Sequence, residues 1–418
     1  MSIFKWVSVL FFVSSVVDFG FCVKVCSSWK DYWGFSGNNT CRENLDDEGE
    51  FSDIVSRWGK KVQTYVVSTY DGYYITLFRI VPESNNSAPV LLLPGSFMNS
   101  IAFVDRKKKS LAHQFAVAGY DVWFINWRGT RYSRHHISLT DKDSAYWKFS
   151  FNEWGTRDLW SALNKIKTVN SKKVLLVGLE LGTTAAFIYA SEYPDLASEN
   201  LSGMVSMSPI TVPSNAGYML KAVYTFGFPY IWQPILDFFY HGEFPASIRA
   251  IRATDLCKKG GITLGRLCDA YFEIPIGLDL EQQDPETLPV IIAQNKDSEP
   301  VLNYQHMGQI LSTKTFAKLD YGPKKNIALY GQDTPPVYNL SKIRVPQLFY
   351  LGLNDKFGTV SDASVTYQQF STEYQNTFHV IDYQKFGLAD FVQAKDINSL
   401  LHEELIKNVN ELIAAKLK

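Results

Sequence analysis

The chain has 418 residues, of which 46% are hydrophobic and 20% charged, enough apolar material for one large domain or two ordinary ones. A formal net charge of -1 and a pI near 6.7 exclude a disordered polyelectrolyte and give no electrostatic case for nucleic-acid binding. The longest basic run, "RKKK" at 106–109, is short and reads as a solvated surface loop.

At the N-terminus, "MSIFKWVSVLFFVSSVVDFGFC" places Lys5 before an apolar run and small residues near Gly20 and Cys22. That is the pattern of a secretory signal peptide over 1–22, and a run of about eleven apolar residues is short for a bilayer span of roughly twenty. The rest, 23–418, reads as a soluble, secreted or luminal protein. Five cysteines are present: Cys22, Cys26, Cys41, Cys257 and Cys268. Cleavage after Cys22 leaves four, and pairing of Cys26 with Cys41 and of Cys257 with Cys268 is the simplest of three connectivities, among which spacing does not choose. Asn38, Asn85, Asn200 and Asn339 head N-x-S/T acceptor sites, which suit the secretory route. No Cys/His spacing points to zinc.

Residues 62–81, "VQTYVVSTYDGYYITLFRIV", are two β-rich runs around an Asp-Gly turn and predict a hairpin. Short continuous apolar runs follow: "APVLLLPG", "GYDVWFINWRG", "KKVLLVG", "LSGMVSMSP", "VPQLFYLGLND" and "NTFHVIDYQKFG". Most are separated by helix-length segments such as "WGTRDLWSALNKI" and "SVTYQQFSTEY". Buried strands alternating with helices predict an α/β fold with a doubly wound, mostly parallel sheet, whose ligands gather at the carboxyl ends of the strands. The alternation stops over 209–331, where "GYMLKAVYTFGFPYIWQPILDFFYHGEF" is dense in aromatics. This stretch reads as an inserted, mostly helical cap that could line an apolar cavity.

"KKVLLVGLELGTTAAFIYASEYP" then reads as strand, tight turn and helix, with Gly178 and Gly182 flanking Leu179, Glu180 and Leu181. The spacing is that of the G-x-S-x-G nucleophile elbow, with glutamate in place of serine. Together with "DIVSRWGKKVQTYVVSTYDGYYITLFRI", "DVWFINWRGTRYSRHH", "YWKFSFNEWGTRDL", "HGEFPAS" and "HMGQILSTKTFAKLDYGPKKNIALYGQDTPPVYNLSKIRVP", the chain resembles the acid lipase family, which includes gastric and lysosomal acid lipases. The resemblance runs from about Asp53 to Asn408. It implies the α/β-hydrolase fold, and it equates the family's cap disulfide with Cys257 and Cys268.

Carried over residue by residue, the resemblance implies four site positions. The nucleophile, serine in the family's "GHSQG", falls on Glu180. The acid of "GNDW" is kept as Asp355 in "GLNDKFG", with Lys356 after it. The base, the histidine of "NHLDF" or "GHADF", falls on Leu388 in "FGLADF". The oxyanion loop, "HGL" in the family, is Pro94, Gly95 and Ser96, so Ser96 and Leu181 hold the oxyanion-hole positions.

Ester hydrolysis on this fold needs a hydroxyl nucleophile, an imidazole base and an orienting carboxylate. Loss of nucleophile or base alone costs on the order of 10⁶ in turnover, roughly 8 kcal/mol. The expectation is therefore an inactive lipase-like protein that binds a lipid or acyl ester, with peripheral contact to lipid surfaces. An ester hydrolase using Glu180, and an interaction or storage protein, are the alternatives. A carboxylate at Glu180 would be favoured by the helix start and by the oxyanion-hole N–H groups. Asp355 would repel it unless a cation such as Lys356 intervened. Two carboxylates without further ligands make a poor metal site, so no metal or cofactor is expected.

Overall fold

The structure is a computed structural model that describes residues 25, 26, 28, 44–84, 86–246, 267, 270, 273–294 and 297–415. Residues 1–22, where a signal peptide is expected, and Cys41, Cys257, Cys268, Asn38 and Asn85 lie outside the described residues. Cys26 is buried and disulfide-bonded, and its partner also lies outside them.

Eleven strands run in chain order among the described residues: β1 Val62–Ser68, β2 Tyr73–Ile80, β3 Pro89–Leu93, β4 Asp121–Ile125, β5 His135–His136, β6 Val174–Leu179, β7 Leu201–Met207, β8 Glu243–Phe244, β9 Glu299–Pro300, β10 Gln347–Leu351 and β11 Thr377–Val380. The main sheet has the order β1-β2-β4-β3-β6-β7-β10-β11, with β5 against β2. From β4 to β11 all pairings are parallel, whereas β1, β2 and β4 pair antiparallel. This is the α/β-hydrolase arrangement.

Residue choice follows burial. Every residue of β3, β4, β6, β7 and β10 is buried, as strands covered by helices on both faces require. β1 is an edge strand with no buried residue, so its pattern mixes apolar and polar side chains. Helices do not begin where apolar spacing alone puts them. The expected helix at 364–374 is Val360–Tyr367, because the Thr359 side chain caps it by accepting from Asp362 N–H. The one at 154–166 opens as a π-helical turn, Trp154–Leu159, before the α-helix Trp160–Val169.

The basic run is not a solvated loop. Arg106 is buried, with its guanidinium donating to Thr287 Oγ1 at 3.2 Å, Asp284 Oδ2 at 3.1 Å and the carbonyl of Gln393. Only Lys108 and Lys109 of the run are exposed. No helix among the described residues is long and apolar enough to cross a membrane.

Candidate active site

Sheet order places the site. The chain leaves β3 toward β4 on one side and returns to β6 on the other, so β3 and β6 flank the crossover point where such sheets take their ligands. Leu93 pairs with Gly178, Leu179 with Met207, and Tyr350 with Met207. The loops leaving β3, β6, β7 and β10 therefore start side by side, which brings together residues far apart in sequence.

Glu180 occupies the turn between β6 and the helix Leu181–Glu192, at φ 52° and ψ -120°. A side chain here is strained by about 1–3 kcal/mol, held by surroundings that over-determine the turn. Its N–H donates to Met207 O at 3.0 Å, and its carbonyl accepts from Thr183 N–H at 2.9 Å. The flanking glycines are steric necessities: a Cβ on Gly182 would sit 2.4 Å from Leu93 O, and one on Gly178 2.9 Å from Thr183 N. The helix start is thus pressed against the end of β3.

The Glu180 side chain turns into the loop after β3. Ser96 N–H donates to Oε2 at 2.5 Å and Ser96 Oγ–H to Oε1 at 2.8 Å. That loop is itself fixed by Trp127 Nε1–H donating to Pro94 O at 2.8 Å. A Cβ on Gly95 would lie 2.6 Å from Oε2, so the glycine leaves the space that the carboxylate fills. Burial pushes Glu180 above the ordinary glutamate range, against the pull of Ser96 and the Leu181 amide, and the charge of Asp355 adds to the rise.

Asp355 lies four residues past β10 and is also buried. Its Oδ1 accepts from Phe357 N–H at 2.8 Å and Gly358 N–H at 2.9 Å, and its Oδ2 from Ser208 Oγ–H at 2.6 Å. Burial pushes it up to about 6, opposed by these donors and more weakly by the charge of Lys356. Lys356 is exposed and ion-paired with neither carboxylate. Leu388, after β11, is buried with Leu179 and Leu181 in the same apolar core, and its N–H donates to Ile276 O at 3.4 Å.

None of the seven histidines bonds to Glu180 or Asp355. His379 stacks on Tyr350 and pairs with Glu404 at 3.1 Å, so it faces the C-terminal helix Glu403–Ala415. His306, which burial lowers to about 4, bonds to Ser150 Oγ at 3.2 Å and Ala317 O at 2.7 Å. His402 is lowered by burial to about 3 and bonds to Asn398. Among the described residues, no group of three or more His, Cys, Asp or Glu could hold a metal ion. Of the described candidate glycan acceptors, Asn339 is exposed while Asn200 accepts from Lys167 at 2.9 Å.

Sequence reasoning missed the other half of the site. Glu299 reaches across from β9 to accept Phe97 N–H at 2.7 Å, and Asp297 N–H donates to Phe97 O at 3.1 Å. The loop after β3 is thereby clamped by Glu180 on one side and by residues 297–299 on the other. Tyr224, in the π-helical stretch Val223–Trp232, lies close enough to both Glu180 and Glu299 that their charges add to the effect of burial in raising its hydroxyl. Tyr224 stacks on Tyr304 at 5.5 Å and on Phe357 at 5.7 Å, and Phe228 stacks on Tyr304 at 4.1 Å. Phe244 and Phe97 complete the group, with ring centroids 5.3 Å apart. The aromatic density of 217–244 was the available signal, but nothing local said which rings turn inward.

Comparison with known proteins agrees with this architecture. Residues 88–231 match the family described as alpha/beta hydrolase fold, and residues 51–107 match the partial alpha/beta-hydrolase lipase region. Mouse lipase member K is 29% identical over 379 residues, 88% of this chain and 92% of that protein. Bovine gastric triacylglycerol lipase is 28% identical over 394 residues, 90% of this chain and 96% of that protein. A solved structure of a candidate lipase from Sulfolobus solfataricus superposes with a TM-score of 0.53 at 14% identity, covering 84% of this chain and 99% of that one. The chain is an α/β-hydrolase-fold protein whose curated relatives, over most of its length, include lipase member K and gastric triacylglycerol lipase.

Proposed function

We propose that this chain is a secreted or lysosomal lipase-like protein that binds a lipid or acyl ester beneath its 209–331 segment without hydrolysing it. The observation that carries the reading is the engagement of Ser96 by the Glu180 carboxylate, through both its N–H and its hydroxyl. In an acyl-transfer site, donors of this kind must be free to meet the developing oxyanion. Here an internal carboxylate holds them before any substrate arrives. Deprotonating a nucleophile would also need a base, and no imidazole reaches Glu180 or Asp355. A covalent Glu180 ester would meet the same obstacle, since among the described residues no imidazole stands beside it to activate the water that releases the acyl group.

The 209–331 segment supports the lipid side of the proposal. Tyr218, Phe226, Tyr230, Phe238 and Phe239 are each more than half exposed, Tyr218 at 84% and Phe238 at 77%. Clustered exposed aromatics within one short stretch form the kind of surface that meets another apolar phase. Buried on the inner side, Tyr224 lies near Glu180 and Glu299, and Phe228 stacks on Tyr304.

The test is ester hydrolysis by the purified, glycosylated protein from acidic to neutral pH, with short and long acyl esters, beside a Glu180→Gln control. The expected result is no turnover from either protein, with acyl lipid recovered on solvent extraction of the native one. Turnover by the wild type that disappears in the control would overturn the proposal and make Glu180 a participant in chemistry.

A further inference from the structure

The basic run "RKKK" at 106–109 takes no part in the site around Glu180, and it lines a separate cavity of about 390 Å³. That volume is in the range of small-molecule sites. Three stretches of chain form the walls: residues between 46 and 58, the run 106–109, and residues 284–287. None of them belongs to the Glu180 turn, the Asp355 turn or the rings around Tyr304.

Five cationic side chains stand in these walls against three carboxylates. Each carboxylate is already engaged: Asp46 accepts from Arg57 Nε at 2.6 Å, Asp284 from Arg106 Nη2 at 3.1 Å, and Glu286 from Lys107 Nζ at 2.5 Å. Donors are left over. Arg57 bonds through Nε and Nη2, which leaves Nη1 free, and the Lys108 ammonium has neither a hydrogen bond nor an ion pair. Behind them the Arg106 Nε–H and the Trp58 indole N–H are buried without a hydrogen-bond partner, so they add positive potential to the wall. Burial pushes neighbouring Asp105 well above the usual carboxylate range, which weakens the negative charge it sets beside Arg106. Trp58 itself meets His113 edge-on, with ring centroids 5.4 Å apart, and this contact fixes the indole as an aromatic side of the cavity.

We infer that this cavity binds a small phosphate monoester carrying a flat ring, with the phosphate at Lys108 and Arg57 and the ring against Trp58. A phosphate monoester brings about -1.5 to -2 charge near neutral pH and three strong acceptor oxygens, which suits the surplus of two cations and their spare N–H groups. A carboxylate brings one charge and two oxygens. Walls drawn from three stretches of chain enclose a whole small ligand, which favours a free ester over a lipid headgroup held in a membrane plane. The inference goes beyond acyl-lipid binding beneath the 209–331 segment and does not depend on it.

The experiment is a calorimetric titration of the full, purified protein at about pH 7.5 and about 0.15 M salt with phenyl phosphate, inorganic phosphate and benzyl alcohol. Phenyl phosphate should bind about threefold or more tighter than inorganic phosphate, and benzyl alcohol more weakly than either. Lys108→Gln should weaken both phosphates by about threefold or more, whereas Lys342→Gln, at an exposed lysine elsewhere, should leave them unchanged. Trp58→Leu should remove the advantage of phenyl phosphate over inorganic phosphate, and if that variant fails to fold, Lys108→Gln still decides. No binding of phenyl phosphate, or equal weakening by Lys108→Gln and Lys342→Gln, would overturn the inference. Sedimentation with phosphatidylcholine vesicles, with and without phosphatidate, separates the two sources of phosphate. Binding that needs phosphatidate and is lost in Lys108→Gln, without binding of phenyl phosphate, would assign the cations to a lipid headgroup and overturn the free ester.

Discussion

The two halves of the site are built by different physics. On the sheet side, positions are dictated by backbone: parallel ladders fix the ends of β3, β6, β7 and β10, and the glycines at 178 and 182 allow the elbow to close against them. On the 209–331 side, the wall is made of side chains, held by ring stacking and by a short two-stranded ladder between β8 and β9. The contrast explains how the elbow holds a glutamate at position 180. Its strained turn is imposed by its surroundings and does not depend on what the side chain does. The other half has no such scaffold, so its ring chemistry is free to diverge.

If that contrast is right, the two sides should respond very differently to small changes. Gly182→Ala should be the most damaging, because the new Cβ meets the Leu93 carbonyl at 2.4 Å and the Pro94 carbonyl at 2.8 Å, neither of which can move without disturbing the sheet. A loss of about 3 kcal/mol or more is expected in chemical denaturation. A variant as stable as the wild type would show that the elbow is less tightly determined than its geometry implies.

A smaller effect is expected from pH, through Asp355. Its folded-state value of about 6 lies above the ordinary 3.8, so the folded protein keeps this proton where the unfolded chain has lost it. Its contribution is most favourable below about pH 4, falls as pH rises through the window to about 6, and stays at its least favourable above that. The change should be on the order of 1–3 kcal/mol. Asp355→Asn should flatten that part of the stability profile, and identical profiles for variant and wild type would refute the assignment.

The smallest stability effect belongs to the exposed rings of residues 218–239. Phe238→Ser combined with Phe239→Ser removes two rings that are 77% and 66% exposed, so stability should change by about 0.5 kcal/mol or less. Partition onto phosphatidylcholine vesicles should nevertheless fall, by sedimentation assay, several-fold. Unchanged partition would mean that these rings do not meet lipid.

Much of the fold was legible in the sequence. Continuous apolar runs marked the parallel strands, since burial on both faces leaves no room for alternation, and the Asp-Gly pair marked the hairpin turn. Gly178 and Gly182 marked the elbow, because only glycine tolerates such close backbone approach. Other features were not legible. The run at 106–109 looked solvated, yet Arg106 is drawn inside by acceptors almost two hundred residues away or more, at Asp284, Thr287 and Gln393. Ser208 sits immediately after β7, but nothing local indicated that its hydroxyl bonds Asp355, which is 147 residues further on.

The sequence by itself determined the strands, the elbow, and the identities of Glu180, Asp355 and Leu388 at their places in the chain, because local period and residue type decide what is buried and where a turn can close. Only the tertiary structure decided that Glu180 takes up the donors of Ser96, that Lys356 points to solvent, and that Glu299 and Tyr224 join the site. Those contacts depend on strand order and register, which bring side chains together across stretches of chain that carry no mutual local signal.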